Sequence, residues 1–196
     1  EHISSLEERM HYETIGPIWV AHMKNEPVRL KPNDGSYHQC DSPSCDYDCE
    51  NFMRKEVRVF TGTPAAWSHI VRKYFLPLVA FIQENNIAFE CGVGINATSR
   101  DWFSVWKYLT IFGSGRIVAG DYSKYDKRLS AILISYAFVI LIEIAKKAGY
   151  PPADIEVMES IGFDTAFPCV KLMYLLIQFL NSLPSGHPLT VIINSI

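Results

Sequence analysis

Apolar and polar positions alternate along this chain in periods that predict its elements. The longest apolar run, at about 131–142, lies inside a helical pattern over 129–148 and carries Ser135 and Tyr136 among its aliphatics. It is too short to cross a bilayer and predicts a core helix. Lys146 and Lys147 suit the negative end of its dipole, Gly149 its C-cap and Pro151-Pro152 its stop. A shorter helix is predicted over 153–161, ended by Gly162. Residues 61–86 open on Thr63-Pro64 and set Trp67, Ile70, Val71, Tyr74 and Phe75 at helical spacing, a buried stripe with a kink or break at Pro77. A further helix over 100–111, capped by Thr98 or Ser99, is expected to bury Trp102, Phe103, Trp106 and Tyr108. The glycines of 92–96 mark a turn, and the short β-branched run Arg116-Ile117-Val118-Ala119 predicts a buried strand.

The remaining stretches are less regular. Residues 1–23 form an amphipathic start. Pro27 favours extended backbone over 24–29, and a loop rich in Pro, Gly, Asp and Cys fills 31–51. Residues 54–60 predict a strand carrying positive charge, which by itself suits a solvated edge. The apolar pattern of 165–183 admits either a helix or strands. After the Pro184–Gly186 loop, Pro188 suits a first helical turn, and Leu189, Ile192, Ile193 and Ile196 make a buried helical stripe. Gly186, Thr190 and Asn194, four apart, line a different face.

A length of 196 residues suits one domain or two, and 48% hydrophobic with 13% aromatic residues suffices for a sizeable core. The formal charge of -3 argues against a generic nucleic-acid binder. That charge is uneven: residues 41–50 hold four acids and no base, whereas 70–130 hold eight Lys/Arg against five acids. No signal peptide or membrane-spanning run is present in the sequence. The five cysteines, an odd number, suit free thiols in a reducing compartment, and without a secretory signal the Asn96-Ala97-Thr98 sequon carries no weight. His38, Cys40, Cys45 and Cys49 lack a Cys-x-x-Cys pair, so a loop of free thiols is favoured over structural zinc. The start at Glu1, without Met, and the close at Ile196, without a C-cap, lead us to expect a piece of a longer polyprotein.

Candidate chemistry centres on Gly120-Asp121-Tyr122-Ser123-Lys124-Tyr125-Asp126-Lys127-Arg128-Leu129-Ser130. Two aspartates five apart diverge on a continuous strand or helix. A turn between them brings them together, with Asp121 at a strand end and Asp126 beyond, within reach of a hard divalent cation and a polar substrate. Alone, such an aspartate is more often a helix cap. With Leu183-Pro184-Ser185-Gly186-His187-Pro188-Leu189-Thr190-Val191-Ile192-Ile193-Asn194-Ser195-Ile196 downstream, the pair of stretches resembles motifs A and B of the RNA-dependent RNA polymerases of picorna-like positive-strand RNA viruses. Gly92-Val93-Gly94-Ile95-Asn96 is similar to the turn that precedes motif A in that family. Lys24-Asn25-Glu26 with the 54–60 strand looks like motif F.

The resemblance implies an α/β right-hand polymerase fragment, helix-rich with a small antiparallel palm sheet. Fingers would occupy 1–110, with the motif F-like segment at 24–60, and palm 111–196, with motif A at 120–130 and motif B at 184–196. It implies a strand pair within 165–183. It implies template-directed RNA synthesis from NTPs with two Mg²⁺ or Mn²⁺ ions. Asp121 and the carbonyl of Tyr122 would hold metal. Asp126 would accept a hydrogen bond from the ribose hydroxyls, Asn194 and Thr190 would orient that network, and Ser185 and Gly186 would check the nascent base pair. Arg58 and Lys24, with Lys55 or Arg54, would hold the triphosphate. Aspartate at 126, where reverse transcriptases place a bulky residue, implies an RNA product. Implied partners are the RNA template, a primer or nascent strand, and other viral replication proteins, at a membrane-associated complex in the host cytoplasm. No Gly-Asp-Asp of motif C occurs in the chain, so these residues alone are expected to be inactive. The competing readings are a non-enzymatic helical scaffold or zinc-stabilised interaction module, and another metal-dependent nucleotidyltransferase.

Overall fold

The structure is a computed structural model that describes residues 16–24, 31–32, 52–53, 58–123 and 125–196; of Lys31, Pro32, Phe52, Met53 and Asp126 only the backbone is described. Six strands and six helices occur among these residues. The chain divides into two compact units, Glu1–Ala21 with Thr61–Ile196, and His22–Phe60.

In the larger unit the core is built from three helices. α1 (Ala65–Glu84) buries Trp67, Ile70, Val71, Tyr74 and Phe75, as its spacing predicts, and then Leu78 and Ile82. Pro77 does not break it. The apolar stripe continues on both sides of the proline, so burial holds the helix through the lost backbone bond. α2 (Asp101–Leu109) and the single turn α3 (Tyr125–Arg128) follow. α4 (Ala131–Lys147) is capped by Ser130, whose hydroxyl accepts from the Leu133 N–H at 3.3 Å. Its other end closes with Gly149 at φ +84: the Gly149 N–H bonds the Lys146 carbonyl and the Tyr150 N–H the Ala145 carbonyl, both at 3.1 Å. A left-handed residue is needed there, and glycine takes that conformation without a Cβ penalty.

α5 (Pro152–Ala166) runs past Gly162 instead of ending there. A Cβ at Gly162 would stand 3.0 Å from the Phe138 Cγ, so the glycine serves close approach of α5 to α4. Phe138 in turn meets Phe75 edge-on at 5.5 Å, which joins α4 to α1.

The 165–183 stretch is the strand pair: β5 (Cys169–Leu172) and β6 (Leu175–Gln178) form an antiparallel hairpin with Val170 opposite Ile177. Its turn is Met173-Tyr174, with Met173 at φ +52, so none of the usual turn residues marks it. β5 also pairs in parallel with β1 (Ile18–Met23), Trp19 facing Val170. The amphipathic start thus holds an inner strand of a sheet ordered β4-β1-β5-β6, where β4 is Val59–Gly62. This sheet is mixed, whereas the expected palm sheet is antiparallel. α6 (Thr190–Ile193) is a single turn that buries Leu189, Ile192 and Ile193 of the expected stripe, whereas Ile196, beyond the turn, is exposed.

Two further expectations fail. Residues 116–119 form no strand, and Val118 is 96% exposed. A strand needs a partner for its backbone polar groups, and none of the described strands pairs with this run. The aromatics of α2 are also not core. Trp102, Phe103 and Trp106 are each more than half exposed. No described element covers them; Phe103 stacks on Trp106 at 5.8 Å, and Lys107 lies 4.7 Å from the Phe103 ring.

In the smaller unit, β2 (Lys31–Pro32) and β3 (Phe52–Met53) pair antiparallel. The Lys24 N–H bonds the Arg58 carbonyl at 2.8 Å, and the rings of His22 and Phe60 lie 5.6 Å apart.

Candidate active site

The residues of motif A are displayed on backbone with little support. Asp121 and Tyr122 are exposed on a segment without regular structure, and the Tyr122 ring leans on Tyr125 at 5.3 Å. The turn expected between the aspartates is present: residue 123 is a turn, and Asp126 lies in α3. The Leu129 N–H bonds the Tyr125 carbonyl at 3.0 Å, and Leu129 is buried, which ties α3 to the core. The aspartate backbone therefore hangs from the N-terminus of α4.

Motif B is held far more tightly. Thr190 Oγ1 lies 2.9 Å from the Pro184 carbonyl and 2.8 Å from the His187 carbonyl, so its hydroxyl braces the loop onto the start of α6. Asn194 is exposed at the end of α6, its N–H on the Thr190 carbonyl at 3.0 Å. Ser185 and Gly186 meet β4. The Ser185 N–H donates to Thr61 Oγ1 at 3.1 Å, the Thr61 N–H to Ser185 Oγ at 3.2 Å, and the Gly186 N–H to the Thr61 carbonyl at 2.9 Å. A Cβ at Gly186 would lie 2.2 Å from that carbonyl oxygen, so only glycine fits. Here the glycine is required by contact with backbone, not by its φ.

Sequence reasoning missed His187, one of the unassigned positions of motif B. Its ring is buried, stacked on Trp19 at 5.7 Å and edge-on to Phe138 at 6.1 Å. Nδ1 accepts from the Leu189 N–H at 3.0 Å, so the ring proton of the neutral form sits on Nε2. Nε2 donates to Thr165 Oγ1 at 3.0 Å, and that hydroxyl donates to the Ile161 carbonyl at 2.7 Å. Burial lowers the His187 pKa to about 3, which keeps the imidazole neutral. The hint in the sequence was the apolar setting of Leu183, Pro184 and Leu189. Thr61 was missed too, because nothing local marks a residue whose partners lie 124 positions away.

The structure brings Ser185, Gly186 and Thr190 into one loop, and pairs the backbones of Lys24 and Arg58. No hydrogen bond or ion pair among the described residues ties Asp121 to the motif B loop. Lys55, Arg54, His38, Cys40, Cys45 and Cys49 lie outside the described residues. Among the described residues no cluster of three or more His, Cys, Asp or Glu could hold a metal, and no helix is long and apolar enough to cross a membrane.

Comparison with known proteins gives a consistent result. Residues 52–196 match the family described as viral RNA-dependent RNA polymerase. The chain is 31% identical over 150 residues to a replicase polyprotein of Drosophila C virus, matching 71% of this chain and 8% of that protein. It is 32% identical over 139 residues to an RNA1 polyprotein of Broad bean wilt virus 1, covering 71% of this chain and 7% of the relative. Against a replicase polyprotein of Cricket paralysis virus it is 30% identical over 152 residues, 71% of this chain and 8% of the relative. The chain thus spans less than a tenth of the length of these curated relatives.

The His187 setting has a consequence for pH. Its folded pKa lies below the unfolded value of 6.5, so the unfolded chain binds a proton that the folded chain refuses. The associated stability is fully present above about pH 6.5 and is lost as pH falls toward 3. Asp164 on α5 has the opposite sign. Burial raises its carboxyl from 3.8 to about 6, so its contribution is present below 3.8 and lost as pH rises through 6. In an Asp164→Asn chain the histidine effect stands without that opposition. Urea unfolding is expected to show stability rising with pH between about 4 and 6.5, by up to ~1.4 kcal/mol per pH unit, relative to the same chain carrying His187→Gln. Coincident profiles for the two chains would contradict a neutral, buried His187.

Proposed function

Since the chain belongs to the family of viral RNA-dependent RNA polymerases, we propose that it is part of the fingers and palm of an enzyme that synthesises RNA on an RNA template. The observation that carries this reading is that one family match, over 52–196, contains both Asp121 and the Ser185–Asn194 stretch. The fold is compatible with it: a helix-rich α/β body with a four-stranded sheet.

The reaction is an in-line attack of a 3′-hydroxyl on an α-phosphate, with pyrophosphate leaving. Divalent ions supply charge stabilisation to the attacking and leaving oxygens in such a displacement. The donor set fits a hard ion such as Mg²⁺ or Mn²⁺. Asp121 is an exposed carboxylate with no protein partner among the described residues, and the next carbonyl, of Tyr122, is also oxygen. We assign Asp121 and that carbonyl to metal, with the further carboxylates of a two-ion site coming from outside these residues, where the family has its Gly-Asp-Asp.

Nucleotide choice falls to motif B and Asp126. The Asn194 side-chain amide and the Asp126 carboxylate recognise the ribose hydroxyls. A nucleotide lacking the 2′-hydroxyl leaves such groups unmatched and is rejected. Thr190 supports them indirectly: its hydroxyl proton is spent on the loop carbonyls, so it braces Ser185 and Gly186 and retains only acceptor capacity toward Asn194. Arg58 and Lys24, whose backbones are paired, hold the triphosphate together with Lys55 or Arg54. The reading extends to an RNA template with a primer or nascent strand, to other viral replication proteins, and to a membrane-associated complex in the host cytoplasm. The RNA partners rest on the family match, and the replication proteins and membrane-associated complex on the resemblance of the sequence to picorna-like polymerases.

In primer extension by the complete polymerase carrying this segment, Asp121→Ala is expected to abolish incorporation at saturating nucleotide and Mg²⁺. The isolated 196 residues are expected to give none. Near wild-type extension by the variant would remove Asp121 from the metal site, and extension by the isolated chain would overturn its proposed incompleteness. Asn194→Ala is expected to lower the NTP over dNTP ratio of kcat/KM by about tenfold, the size of one lost hydrogen bond. An unchanged ratio would take Asn194 out of ribose selection.

A further inference from the structure

The motif B loop is gripped in two different ways. On one side Pro184 and His187 are buried, and His187 is fixed by two hydrogen bonds and the Trp19 stack. Between them Ser185 and Gly186 are exposed. Their partner is Thr61, whose N–H, carbonyl and hydroxyl all bond these two residues. Hydrogen bonds made at an exposed site compete with water, so each contributes little and each can be exchanged. The buried flanks thus set where the loop stands, and the Thr61 contacts set how its two exposed residues are turned. The 2.2 Å that a Gly186 Cβ would leave to the Thr61 oxygen shows how closely strand and loop approach.

We propose that Thr61 is a positioning residue of the polymerase. It latches Ser185 and Gly186 in the orientation that checks the nascent base pair, and it touches no nucleotide itself. The proposal rests on the polymerase reading above and adds to it a residue three positions beyond Arg58. Through Thr61, the strand that follows the triphosphate-binding base is bonded to the loop that inspects the base.

The test uses the complete polymerase with Thr61→Val, which keeps the β-branched shape and loses the hydroxyl, and Thr61→Ala, which loses both. Thr61→Ser restores the hydroxyl. Single-nucleotide incorporation gives kcat and KM for matched and mismatched NTPs, and thermal unfolding is measured alongside. Val and Ala are expected to lower the matched over mismatched ratio of kcat/KM by about threefold to tenfold, the effect of one hydrogen bond, with Tm within about 2 °C of wild type. Ser is expected within twofold of wild type. An unchanged ratio in Val and Ala overturns the latch. So does an equal loss in Ser, or a failure of Val and Ala to fold, which would make Thr61 structural only. The outcomes separate from those of the polymerase reading. An inactive Asp121→Ala with unaltered Thr61 variants rejects the latch alone, whereas an active Asp121→Ala rejects the metal assignment beneath it.

Discussion

The rest of the larger unit depends on the burial of Trp19. The indole is fully buried, edge-on to Trp67 of α1 at 6.4 Å and stacked on His187 at 5.7 Å. One side chain thereby joins the β1 strand, the first core helix and the motif B loop. Truncating a buried indole of this kind costs about 3–5 kcal/mol, a large part of the stability of an ordinary domain. Its N–H has no partner among the described residues, so the aromatic contacts and apolar burial must outweigh an unmet donor. The position of the loop is therefore a packing outcome of the core, inherited through His187.

The two candidate stretches differ in how firmly the fold holds them. The 184–190 loop is anchored at its buried flanks Pro184 and His187 and braced by Thr190. Motif A is displayed on exposed backbone that no described strand pairs, although α3, Leu129 and the Ser130 cap fix its exit into α4. The exposed aromatics of α2 and the exposed Ile117 and Val118 share that lack of a covering element.

Local patterns in the sequence were enough for α1 and α4. The stripe from Trp67 to Phe75, the Ser130 start and the Gly149 stop of α4 all follow from spacing and caps, which act within a few residues. What was illegible depends on distant partners. β1 pairs Ile18 with Cys169, and no pattern within 1–23 points to that register. Gly162 reads as a stop, yet its partner is Phe138 on another helix. The α2 aromatics follow helical spacing, but spacing states only which residues share a face, not whether anything lies against it. The candidate motif residues were named through family resemblance. Thr61 and His187, which hold those residues in place, were not, because their contacts exist only in three dimensions.

The central claim is that Asp121 binds the metal of a nucleotidyl-transfer site whose nucleotide is read by motif B. The most direct test is a crystal structure of the complete polymerase with RNA template, primer, matched NTP and Mn²⁺, with the ions located by anomalous scattering. The account predicts an ion at direct coordination distance, about 2.0–2.2 Å, from an Asp121 carboxylate oxygen, with the NTP ribose at the Asn194 amide. Ions held only by other residues, with Asp121 turned to solvent while the nucleotide is in place, would contradict it.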